Sequence, residues 1–157
     1  MTSIARRLMT VAFVGLFAMI WRIDTARDVL SAQTRKPVVV TRLYTGSDGQ
    51  THAEEIEMKF TGGANSEVSQ MLPVTGAELH RQPPNTFVDW HPGPRRQYVI
   101  TLSGRGEIEV AGGKKIPLGP GQINLIEDTT GKGHITKGVG TEDRVTLWLP
   151  LADQTRR

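Results

Sequence analysis

Four histidines, His52, His80, His91 and His134, carry most of the chemistry this chain can offer, and there is no cysteine beside them. Imidazole binds borderline divalent metals and exchanges protons near neutral pH. Two stretches around these histidines hold more polar groups than packing requires. One is Asp89-Trp90-His91-Pro92-Gly93-Pro94-Arg95-Arg96-Gln97; the other is Glu127-Asp128-Thr129-Thr130-Gly131-Lys132-Gly133-His134. If His91 and His134 meet in an interior, they either share a divalent ion, with Gln97 as third ligand or its water partner, or sit hydrogen-bonded in a polar cavity. His80 either adds a third nitrogen from a neighbouring strand or lies at the surface. His52 follows a turn and is expected to be exposed.

Strand alternation places Arg95 and Gln97 on one face. An inward Arg95 would suit a carboxylate-bearing ligand through bidentate pairing. The alternative is an arginine held by Glu127 or Asp128 in a structural ion pair. Glu127 and Asp128 are either solvated loop acids or a general acid–base and a partner orienting a histidine. Thr129 to Gly133 is glycine-rich but lacks the spacing and following helix of a phosphate loop. No Gly-x-Ser-x-Gly occurs and no Ser-His-Asp order stands out, which argues against a serine nucleophile. The missing cysteines exclude disulfides, thiolate metal sites and a cysteine nucleophile.

The elements that must position these residues read as strands. From Pro37 onward, helix signals are absent and period-two alternation dominates. Strands are predicted over 38–44, 55–60, 77–81, 86–91, 97–103, 107–110, 123–126 and 144–149. Ile56, Met58 and Phe60 share a face of one strand, and Tyr98, Ile100 and Leu102 a face of another. Gly46-Ser47-Asp48-Gly49, Gly104-Arg105-Gly106 and Gly112-Gly113 mark turns. Short strands with turn signals at this rhythm are the signature of an all-β sandwich or barrel.

At the two polar stretches the chain resembles the cupin superfamily. His91 fits the first histidine of that family's first motif, Gln97 falls where the motif has glutamate, and Gly104 stands at its closing glycine. Pro120-Gly121 fits the opening turn of the second motif and His134 its histidine. The sequence departs at Gly93, where the family has a second histidine, at Asn85, which replaces the opening glycine, and at Gly138, which replaces the final asparagine. The resemblance implies an all-β jelly-roll barrel over 37–151. It implies a divalent metal (iron, manganese, zinc, nickel or copper) on His91, Gln97 and His134, with Glu127 and Arg95 near the substrate. Two readings of function remain open: a metal-dependent enzyme acting on a small molecule, as an oxygenase, isomerase or decarboxylase, or a metal-free module that binds a small molecule without turnover.

The chain carries a formal charge of +3, part of it in the first 32 residues. There Arg6 and Arg7 precede an uncharged, mostly apolar run from Leu8 to Trp21, the pattern of an export segment. The run is short for a membrane span, although an uncleaved anchor is the alternative. The remainder holds 15 basic and 14 acidic residues, a balance that argues against nucleic acid as a partner. The expected location is periplasmic or secreted, or membrane-anchored facing outward, with the membrane touched only through an uncleaved leader. A homodimer is also expected from the resemblance, with the β-branched run Val38-Val39-Val40 as an exposed edge.

Overall fold

The computed structural model describes residues 36–63 and 65–155. The expected leader, residues 1–32, lies outside them. The described residues form an all-β structure in two compact units. The smaller described unit is a short hairpin, β3 (Phe60–Gly62) paired with β4 (Glu67–Ser69). The larger unit holds β1 (Val39–Thr45), β2 (Thr51–Glu57), β5 (Glu78–Gln82), β6 (Phe87–His91), β7 (Gln97–Ser103), β8 (Arg105–Glu109), β9 (Lys115–Leu118), β10 (Ile123–Glu127), β11 (His134–Val139) and β12 (Arg144–Pro150).

These ten strands build two sheets. The larger has the order β2-β1-β10-β7-β12-β5, and the smaller β6-β11-β8-β9. From β5 onward the chain passes back and forth between them, and only the β8–β9 hairpin stays in one sheet. Proline enforces two of the crossings. Pro83-Pro84 separates β5 from β6, and Pro92-Gly93-Pro94 separates β6 from β7. A residue without an N–H cannot extend a ladder, so the strand ends and the chain changes sheet. Strands alternating between two facing sheets make a jelly roll.

Three expectations need correction. The barrel is not closed: among the described residues no ladder joins the two sheets, and β2, β5, β6 and β9 remain edges. The run Val38-Val39-Val40 is not an edge either. It leads into β1, which lies between β2 and β10, and Val40 is buried. The predicted strand over 55–60 is two elements: β2 ends at Glu57, and Phe60 opens the separate hairpin.

The core lies between the sheets. Leu43, Val99 and Ile126 from the larger sheet meet Ile108, Ile116 and Leu118 from the smaller, with Trp148 packed against them. Strand alternation then fixes the other face. With Gln97, Val99 and Thr101 inward, Tyr98, Ile100 and Leu102 point to the outside of the larger sheet. They share a face as predicted, and Leu102 is exposed on it.

Candidate functional site

His91 closes β6 and His134 opens β11, and the two are direct partners across that antiparallel ladder. Opposed residues project on one face, so the rings come to 4.5 Å between centroids. Gly133 makes this approach possible. Its φ is +75°, and a Cβ there would overlap the His91 carbonyl. Any other residue would push β11 away from β6 at the point where the imidazoles meet.

Each ring is anchored through Nδ1. The His91 Nδ1 lies 2.7 Å from the Asp89 carbonyl oxygen. A carbonyl only accepts, so this Nδ1 carries the hydrogen, and in the neutral ring Nε2 keeps its lone pair. The His134 Nδ1 lies 2.6 Å from Asp128 Oδ2, which also accepts the Thr51 hydroxyl at 2.9 Å. Asp128 is fully buried behind His134. This is a carboxylate that fixes the orientation and tautomer of a histidine. Both rings line a cavity of about 80 Å³ whose apolar walls include Val99, Ile108, Leu118 and Ile126.

The other residues singled out in the sequence are placed differently. Gln97 is buried and lines the cavity, but its Oε1 accepts a hydrogen bond from Arg95 Nε at 3.0 Å. Arg95 itself is not in the lining, and its other nitrogen is held by Glu78 at 2.6 Å. Glu127 is not in the lining either. On β10 the residues turned inward are Asn124 and Ile126, so Glu127 takes the outer side. There it accepts from Arg42 Nε at 2.6 Å and is paired with Arg96. Burial pushes the Glu127 carboxyl upward, but hydrogen bonds and charge from Arg96 and Arg42 outweigh it and hold the carboxyl below its usual range. Two guanidiniums hold this carboxylate on the outer side of the sheet, away from the imidazole pair, where it ties strands together. The inward carboxylate is its neighbour, Asp128.

His80 does not join the imidazole pair. It stacks on Trp148 at 3.9 Å between ring centroids, and its Nε2 lies 3.0 Å from Glu78 Oε2. His52 is partnered by Asp48 at 3.1 Å near the surface.

Two residues that the sequence reading passed over complete the lining. Asn124 on β10 is 1% exposed, and neither atom of its amide has a partner. Arg144 opens β12 and is 6% exposed. It donates to Gln82 Oε1, while its Nε is buried without a partner. Burial pushes the Arg144 guanidinium below its ordinary pKa. The signal was present in the alternation of β12, where Arg144, Thr146 and Trp148 share the face opposite Val145, Leu147 and Leu149.

The donor set decides whether a divalent cation fits here. Two imidazole nitrogens are available. The Gln97 carbonyl already serves Arg95. No side chain can enter from Gly93, where the resemblance places a second histidine, because a Cβ there would overlap Ile126 Cγ2. Arg144 adds positive charge to the same cavity. Among the described residues no group of three or more His, Cys, Asp or Glu is gathered for a cation. Two nitrogens beside a guanidinium, with no carboxylate in the lining, are a poor set for a resident dication.

No family model matches the chain, and no curated protein matches it. Among solved structures it is similar to a DMSP lyase structure, with 18% identity over 50% of this chain and 38% of that one and a TM-score of 0.41. It is also similar to an RmlC-like cupin protein from Desulfovibrio desulfuricans, at 14% identity over 73% and 82% of the two chains with a TM-score of 0.36. The Cnp3 cupin domain of Schizosaccharomyces pombe matches at 12% identity over 78% and 88%, with a TM-score of 0.42. The chain thus spans well under half the length of the lyase. Two of these structures are cupins by name, and the alternation of strands between two facing sheets seen here is that of a jelly roll.

Proposed function

We propose that the domain binds a small organic molecule between its two sheets without a resident metal, with His91 and His134 as the polar contacts. The observation that carries this reading is the anchoring of both imidazoles. Each ring is tied through Nδ1 to a fixed acceptor while lining an interior cavity. Anchored rings bear on a ligand with little loss of freedom on binding. Their Nε2 atoms accept hydrogen bonds from a ligand hydroxyl or amide N–H. The cavity, at about 80 Å³, is small beside the ~300–1,000 Å³ of a drug-sized site. The ligand is therefore compact.

The test is thermal unfolding of the chelator-treated full chain against short-chain acids, their amides and monosaccharides. A ligand of the native state raises the midpoint progressively with concentration. The expected result is such a rise for at least one class, reduced in His91→Ala and His134→Ala. A rise that occurs only after iron, manganese, copper, nickel or zinc is restored would overturn the metal-free reading.

A further inference from the structure

We propose that Arg144 and Asn124 form the recognition point for the carboxylate of a small organic acid bound in this cavity. This deepens the reading of the cavity as a ligand site and rests on it.

Arg144 has no carboxylate partner among the described residues, although it is 6% exposed. Among the described residues its side chain hydrogen-bonds only to the neutral amide of Gln82. A guanidinium carries five donors in a planar fork, cannot discard its charge at neutral pH, and is costly to bury without an anion. The fold has made space for it nonetheless. Arg144 stands on the larger sheet, and its side chain runs against Gly106 of the smaller one. A Cβ at Gly106 would lie 3.3 Å from both Arg144 Cδ and Nε. So the side chain crosses between the sheets and ends in the cavity lining, with Nε unpartnered.

Asn124 supplies an independent observation. Its side chain is 1% exposed and its amide is unpartnered at both ends. Buried polar atoms are almost always hydrogen-bonded, and an orphan calls for a missing partner. Here three orphan atoms, Asn124 Nδ2, Asn124 Oδ1 and Arg144 Nε, belong to residues lining one cavity. A carboxylate answers both donors, because it accepts a forked pair from the guanidinium and a further bond from an amide N–H. The Asn124 carbonyl then remains for a donor on the ligand, as a hydroxy acid would provide. The apolar walls bound the rest of the molecule to a short chain. Phosphate monoesters also pair with arginine, but their second negative charge would need a second cation, and Arg144 is the only Arg or Lys in the lining among the described residues.

The experiment is calorimetric titration of the full chain with lactate, pyruvate and butyrate, each run beside its neutral amide. The expected result is binding of at least one acid with its amide weaker by about 30-fold or more, as loss of a charge-assisted pair implies. Arg144→Met should abolish that preference while melting at or above the wild-type temperature, since it removes an uncompensated buried charge. Arg144→Lys should restore part of the preference. An arginine that served only the fold would give the reverse, with Arg144→Met melting lower and the acid-over-amide ratio unchanged. Amides that bind the wild type as well as acids overturn this inference and leave the ligand cavity standing. Silence from acids and amides alike overturns this inference, and silence from monosaccharides as well overturns the cavity reading with it. The wild-type comparison needs no variant to fold.

Discussion

Arg96 and Arg144 are buried to the same extent, each 6% exposed, and in opposite circumstances. Arg96 lies outside the cavity lining, where Glu127 accepts from it at Nε and again at a terminal nitrogen, and the Asp153 carbonyl accepts a third bond at 2.7 Å. Arg42 completes the cluster from β1. Arg144 lies on the inner side with one neutral acceptor and no anion among the described residues. The first is a saturated ion pair that joins β1, β10 and the start of β7. The second is a buried charge without an anion among the described residues. The same side-chain type is matched by carboxylates on one face of a sheet and unmatched on the other, and the partner inventory separates them where burial does not.

Glu127→Gln tests the saturated member and should have the largest effect. It leaves Arg96 buried with only the half-exposed Asp153 carboxylate, 3.6 Å away, as an anion, which should cost up to about 3–5 kcal/mol in equilibrium urea unfolding. Acid should act on the same pair. The Glu127 carboxyl is held below its ordinary 4.5, so its stabilisation is complete above that value and is lost as pH falls through the lower folded one. The stability-against-pH curve of Glu127→Gln should lack that component of the acid slope. A variant as stable as the wild type, with an unchanged slope, would mean that the outer cluster is no more structural than the inner guanidinium.

Asp128→Ala bears on the inner face and should have a smaller effect. It strands the His134 Nδ1 and the Thr51 hydroxyl, both buried, at a cost of about 1–3 kcal/mol. It also frees His134 to take either tautomer, so ligand affinity should fall along with stability. Loss of stability with unchanged affinity would make Asp128 a packing residue and remove the reason for treating the His134 ring as preorganised.

Much of this was legible in the sequence, and the misses have a common physical cause. Strand β7 reads correctly from its alternation, as do β1 and β12 to within a residue or two. Strand β11, His134–Val139, is hidden from alternation because Lys137 and Gly138 break its apolar pattern. Alternation reports which residues share a face and is silent on which face is inside. In β7 and β12 the inner face carries Gln97, Thr101, Arg144 and Thr146, whereas the outer one is apolar. A hydrophobic reading of these two strands therefore turns them inside out. Arg144 is hidden for that reason, and parity of the same kind exchanges Glu127 for Asp128. The meeting of His91 and His134 follows from ladder register, which no single strand encodes. The gap at Gly93 is likewise visible only once Ile126 is seen to fill the space.

Elemental analysis of the full chain, purified without a metal-binding tag and incubated with iron, manganese, copper, nickel and zinc before desalting, decides between a resident ion and none. A cavity that works through anchored imidazoles and a guanidinium without an anion should hold metal far below one ion per chain, unchanged in His91→Ala and His134→Ala. Near-stoichiometric metal in the wild type, lost in both variants, would contradict it.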